Sequence, residues 1–183
     1  MTIVVALKHE GDIYMGCDSA GTRGIAEVRI RKDPKVAIRK GYIVGFTDSF
    51  RMGQLLQYEL NYPKPPKAGH FKFMVKKVIP EIRECFGNHG FTSVRNQNKE
   101  SGGEFLIGFS GSLYHIFSDF QVAEMALDYS ACGCGDHYAL GSLASTEGMK
   151  PRERVLKSLK VAGEFSNGIR PPYRIKVLKH ESK

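Results

Sequence analysis

The sequence predicts an α+β domain arranged as a four-layer αββα sandwich, and three observations carry that prediction. Short apolar runs at 2–18, 36–47 and 104–117 flank tight Gly-containing turns, as antiparallel hairpins do. Helical periodicity comes in adjacent pairs rather than alternating with strands, which disfavours a βαβ winding. The resulting order is strands, two helices, strands, two helices and a strand, enough for two stacked sheets with a helix pair on each. A length of 183 residues suits one domain spanning 1–183, large enough to bury a real core.

Each element has its own warrant. Residues 2–7 are an apolar run, and 12–18 pair with them across Glu10-Gly11. Residues 36–38 and 42–47 form a second hairpin across Arg39-Lys40-Gly41. Residues 49–60 place Phe50, Met52, Leu55, Leu56 and Leu60 near helical spacing, with Asp48 or Ser49 as cap. The run Tyr62-Pro63-Lys64-Pro65-Pro66 ends that helix. Residues 71–86 put Phe71, Met74, Val75, Val78, Ile79 and Ile82 on one face, with Pro80 predicting a kink. Residues 87–103 are polar, rich in Asn and Gly, and read as a loop. A meander follows at 104–109, 113–117 and 121–126, its first pair joined by Ser110-Gly111-Ser112. Helices at 136–145 and 151–164, the second opening on a favourable Pro151, precede a last strand at 173–178.

Composition narrows the function classes. Hydrophobic content of 42% against 25% charged is ordinary for a globular chain. No apolar run approaches the roughly 18–20 residues of a membrane span. Lys8, His9 and Glu10 interrupt the first apolar run too early for a signal peptide. Four cysteines, Cys17, Cys85, Cys132 and Cys134, are too few and too scattered for a disulfide scaffold, so a cytoplasmic setting is expected. The net charge of +8 invites a nucleic-acid reading, but no aromatic-basic strand or zinc finger accompanies it. A solvated basic surface is the simpler account. Cys132-x-Cys134-x-x-His137 lacks a fourth ligand at a workable spacing and reads as a structural turn.

Thr2 is the residue around which the chemistry gathers. It lies directly behind Met1, and trimming of that methionine would leave a free amine beside a hydroxyl, one form of an activated nucleophile. Asp18 follows sixteen residues later, at the end of the second strand, and Thr22-x-Gly24 comes next. Then come Lys35-Val36-Ala37-Ile38, Tyr42-Ile43-Val44-Gly45-Phe46-Thr47, Met52-Gly53-Gln54-Leu55-Leu56 and Phe105-Leu106-Ile107-Gly108-Phe109. Gly133-Cys134-Gly135-Asp136-His137-Tyr138-Ala139-Leu140 opens the third helix. In order and spacing this series resembles the proteasome β-subunit and HslV branch of the N-terminal nucleophile (Ntn) hydrolases over nearly the whole chain, the 87–103 segment excepted.

That resemblance implies a threonine-type peptidase needing no cofactor or metal. Thr2 would attack an amide carbonyl through Oγ1, and its own α-amine, with an ordinary pKa of about 7.7–8.0, would take the proton. Lys35 would lend a buried positive charge, with Lys32 as the alternative three residues upstream, and Asp18 would hold that lysine in place. The Asp48 amide, in the 47–49 turn, would bind the oxyanion. The resemblance further implies a homo-oligomeric ring, peptide or unfolded-protein substrates, and an ATP-dependent unfoldase as partner.

Three positions depart from the family pattern. Asp48 stands where the turn normally carries Gly, and Cys134 where a Gly-Ser-Gly turn carries Ser. The supporting Asp of the last helix falls on Glu164, and its partner Ser on Ser166 or Asn167. Asp18 or Lys35 taken alone reads as a turn residue or a solvated charge; the spacing to Thr2 is what raises both. The departures also leave open a catalytically silent ring subunit with the same fold, beside a basic nucleic-acid-associated domain.

Overall fold

A computed structural model describes residues 1–23, 27–91, 93–95 and 99–180 of the chain. Strands β1 (Ile3–His9) and β2 (Asp12–Cys17) form the first hairpin, followed by a small hairpin of β3 (Ala20–Arg23) and β4 (Glu27–Ile30). A further hairpin, β5 (Val36–Arg39) and β6 (Tyr42–Phe46), leads to helix α1 (Phe50–Gln54), which continues as a π-helical segment over Leu55–Glu59. Helix α2 (His70–Phe73) likewise widens into a π segment, Met74–Val78, before α3 (Ile79–Asn88). Strands β7 (Ser93–Arg95) and β8 (Lys99–Ser101) pair with each other, and β9 (Phe105–Phe109), β10 (Ser112–Ile116), β11 (Val122–Glu124) and β12 (Tyr129–Gly133) follow. Helices α4 (Asp136–Ala144) and α5 (Pro151–Phe165) and strand β13 (Arg174–Leu178) complete the order.

All pairings are antiparallel, in one sheet of order β12-β1-β2-β13 and another of order β11-β10-β9-β6-β5. The two-residue turns Glu10-Gly11, Lys40-Gly41 and Ser110-Gly111 have positive φ at both positions, the geometry that matches the twist of a tight hairpin. They fix register, which in a buried sheet decides the face of every side chain.

Strand β1 shows why its sequence is apolar without interruption. Ile3, Val5 and Leu7 face a core made with Leu143, Val155 and Leu159 of α4 and α5. Val4 and Ala6 face the opposite way, into a core with Ile13, Met15, Val36, Ile43 and Leu106. A third core joins Tyr42, Val44, Phe105 and Ile107 to Met52, Leu56, Met74, Ile82 and Phe86. The sheets approach so closely that a Cβ at Gly45 would lie 2.6 Å from Val4 Cγ1 and 2.7 Å from Met15 Sδ.

Several expectations need correction. The helix at 71–86 begins at His70 and ends at Asn88, and where Pro80 was expected to kink it the backbone widens into a π turn just ahead of that residue. Pro80 has no N–H to offer and its ring crowds the carbonyl four residues back, so the backbone opens and Ile79 donates to Met74, five residues away. The 87–103 loop contains the last residues of α3 and the pair β7 and β8; positions 92 and 96–98 lie outside the described residues. Strands β3, β4 and β12 are additional to the strands expected from the sequence pattern. Strand β12, Tyr129-Ser130-Ala131-Cys132-Gly133, is small and polar enough to hide its alternation, yet Cys132 and Ala131 are buried on opposite faces. Among the described residues no helix is long and apolar enough to cross a membrane.

Candidate active site

The β1 and β2 hairpin builds the first half of the site. Val4 pairs with Cys17, so the next residue along, Asp18, comes opposite Ile3 and beside Thr2. Asp18 Oδ1 accepts from the Ile3 amide at 3.2 Å, and Oδ2 from the amides of Ala20 at 2.9 Å and Arg170 at 3.4 Å. The second half comes from the other sheet. Lys35 immediately precedes β5, its carbonyl accepts from the Phe46 amide, and its Nζ lies 2.6 Å from Asp18 Oδ1. Both side chains are no more than 1% exposed.

An ion pair this deep is sustained only when the remaining bonding capacity of both groups is met. Three backbone amides do that for the carboxylate. The Phe50 ring lies 5.8 Å from Lys35 Nζ and is itself covered by the Arg31 guanidinium at 3.8 Å. Burial pushes the neighbouring Cys17 thiol up to about 11, and the Lys35 charge only partly opposes it. Lys32, the alternative lysine, is exposed.

Thr2 is buried at the head of β1. Its carbonyl accepts from the Cys134 amide at 3.0 Å, and Cys134 Sγ lies 3.5 Å from the same oxygen. Gly133 makes this approach possible: it has φ +102°, and a Cβ there would sit 2.1 Å from Thr2 O. Thr2 Oγ1 donates to the Met1 carbonyl at 2.8 Å. The Met1 amine donates to Thr22 Oγ1, and the Met1 side chain packs against Gly168.

The 47–49 turn closes the far wall. Asp48 is exposed at φ +53°, and its Oδ2 accepts from the Glu104 amide at 2.9 Å. The Asp48 N–H has no hydrogen-bond partner among the described residues. Ser49 is the N-cap of α1, its Oγ accepting from the Met52 amide at 3.3 Å. Cys134 is exposed, and its Sγ lies 3.5 Å from Ser166 Oγ. Glu164 is exposed in the last turn of α5, and no polar contact ties it to the cluster among the described residues. Of the two candidate partners for Cys134, Ser166 makes the contact and Asn167 is exposed.

Thr2, Asp18, Lys35 and Cys134 therefore gather at one end of the sheets, with Asp48 on the adjoining turn and Glu164 apart. Arg170 was not legible in advance, because its contribution to the site is a backbone amide and so carries no side-chain signature. Ser166 was legible only as one of two neighbours. Among the described residues no group of three or more His, Cys, Asp or Glu side chains converges as a metal site would require.

No protein-family model matches the chain, and no curated protein matches its sequence. Solved structures do. BPH from Thiobacillus denitrificans in complex with epoxomicin aligns with a TM-score of 0.81 at 18% identity, covering 99% of this chain and 100% of that one. Eukaryotic HslV from Trypanosoma brucei aligns at 0.72 and 16% identity over 98% of this chain and 100% of that one. Anbu, an ancestral β-subunit from Yersinia bercovieri, aligns at 0.68 and 12% identity over 97% of this chain and 81% of that one. The chain has the fold of the HslV and BPH proteasome-like subunits, mixed helix and antiparallel sheet, as the resemblance in its sequence implied.

Proposed function

We propose that the chain is a threonine-type N-terminal nucleophile hydrolase, an HslV-like peptidase acting through an acyl-enzyme on Thr2 after Met1 is removed. The observation that supports it most is the buried ion pair of Lys35 with Asp18, tied through the Ile3 amide to the residue next to Thr2. A lysine held charged in a dry site favours any oxygen that develops negative charge beside it.

In this reading the freed Thr2 amine takes the Oγ1 proton as Oγ1 bonds to the amide carbonyl carbon. The unpartnered Asp48 N–H receives the oxyanion. Collapse breaks the C–N bond, the leaving amine takes the proton, and water then hydrolyses the ester with the same amine as base. No cofactor enters this scheme. Residues 1–183 act as one domain, the three cores filling the spaces between four layers, αββα. The protein works as a closed ring in the cytoplasm on peptides or unfolded chains, with an ATP-dependent unfoldase as a candidate partner.

The test combines intact mass with a trap. BPH is known in complex with epoxomicin, so epoxomicin should add to this protein at Thr2 once Met1 is gone. Thr2→Ala should abolish both the adduct and peptide cleavage while leaving the fold unchanged. Unaltered hydrolysis in Thr2→Ala would refute the mechanism.

A second reading has its own support. Met1 is bonded to Thr22 and packed on Gly168, a settled position for a residue that must leave. If mass shows Met1 retained and epoxomicin adds nothing, the chain is a catalytically silent ring subunit.

A further inference from the structure

We propose that Glu104 and His115 form a brace that fixes the oxyanion turn relative to Thr2, making both positioning residues for the hydrolysis proposed above, on which this inference rests. Glu104 immediately precedes β9 and holds the turn by three backbone bonds. Its amide donates to Asp48 Oδ2 at 2.9 Å, and its carbonyl accepts from the Thr47 amide at 3.1 Å and Thr47 Oγ1 at 2.9 Å. Its side chain turns the other way, with Oε1 2.6 Å from His115 Nε2.

His115 is 7% exposed, on β10, with its ring stacked on Phe117 at 4.4 Å and 15°. Its Nδ1 lies 3.5 Å from Ser130 Oγ on β12. Strand β12 belongs to the sheet of Thr2 and ends at Gly133, directly ahead of Cys134, which bonds the Thr2 carbonyl. One imidazole thus touches both walls of the site: Glu104 behind the Asp48 turn, and Ser130 on the strand beneath the nucleophile.

The turn needs such support. Asp48 adopts a left-handed backbone, φ +53°, that a residue with a side chain keeps only where its surroundings hold it. Glu104 supplies the bonds that do so. Its own direction is set by His115, because a half-buried carboxylate lacking that partner would swing to water. Cys132 beside the brace has its thiol pushed well up, first by burial and then by the negative charge of Glu104, Asp48 and Asp136. Glu104 and Asp48 are held together by the bond from the Glu104 amide to the Asp48 carboxylate. A misplacement of about 1 Å in a catalytic group can cost roughly a hundredfold in rate.

The experiment uses full-length, Met1-trimmed protein in its native assembly, carrying Glu104→Ala, Glu104→Asp or Glu104→Gln. Glu104→Ala removes the carboxylate and Glu104→Asp withdraws it from His115. Each should lower kcat about tenfold to a hundredfold with KM within about twofold. Glu104→Gln keeps an acceptor oxygen at the same reach and should restore most of that loss. In the Ala and Asp variants the amides of Thr47 and residue 104 should exchange hydrogen faster, with Ile3 and Ala20 unaffected. If wild type is inert, the hydrolase reading falls and exchange alone decides the brace. Wild-type exchange at both amides in the Ala and Asp variants overturns it, as does a kcat loss that Glu104→Gln does not reverse.

Discussion

Among the described residues Asp18 accepts four hydrogen bonds, one from the nearby Ala20 amide and three from groups distant in sequence, and Lys35 supplies the charged one. Truncating the lysine leaves a carboxylate in the dark with no cation. Lys35→Ala should abolish turnover and lower stability by about 3–5 kcal/mol, read as a shift in the urea midpoint. Thr2→Ala removes a hydroxyl whose bond among the described residues is to the Met1 carbonyl, and it should leave that midpoint nearly unmoved. The thiols separate just as sharply. Cys17, with its thiol at about 11, and Cys132 are buried, whereas Cys134 is exposed at the mouth of the site. A maleimide at neutral pH should label Cys134 first, and peptide mapping with residual activity should show turnover falling as the label appears. Asp48, exposed and paired with no cation among the described residues, should make the proposed cleavage faster beside basic than beside acidic residues. A panel of fluorogenic peptides reads that preference.

At the scale of elements, the hairpins explain what could be read in advance. The separation of Thr2 from Asp18 follows from two strands and a two-residue turn, so the sequence carried it. Lys35 was legible because an apolar strand begins directly after it. Strand β12 was not, since its inward residues are Ser130 and Cys132, which match no apolar template. The resemblance put the supporting carboxylate of the last helix on Glu164, but α5 ends at Phe165 and the segment beyond it supplies Ser166 and the Arg170 amide. Helix periodicity says nothing of an irregular return. The end of β12 gives a prediction of its own. Gly133→Ala places a methyl 2.1 Å from the Thr2 carbonyl at a left-handed position, so it should displace Thr2. The expected result is lost turnover with a destabilisation above about 1 kcal/mol, measured by thermal melting and epoxomicin labelling.

Across the whole molecule, the outer face of α4 and α5 carries Tyr138 and Phe165, 46% and 61% exposed, with ring centroids 5.5 Å apart. Exposed aromatic pairs of this kind are what oligomer contacts cover. The proposed ring should appear in light scattering as one high-mass species across a wide concentration range. Tyr138→Glu with Phe165→Glu should lower that mass without changing the circular dichroism of the chain. A monomer at every concentration in wild type would contradict the assembly.

The placement of Met1 bears on when the proposed trimming can take place. In the folded chain its amine is engaged by Thr22 and its side chain lies on Gly168, so a trimming aminopeptidase meets a docked terminus rather than a loose one. Under the proposed trimming of Met1, removal of that residue and docking of β1 should compete as the chain folds. Molecules that dock first should stay untrimmed however long they are later exposed to the peptidase. Overproduction faster than trimming should then yield two masses in a ratio frozen at birth, and unfolding followed by peptidase treatment should convert the heavier into the lighter.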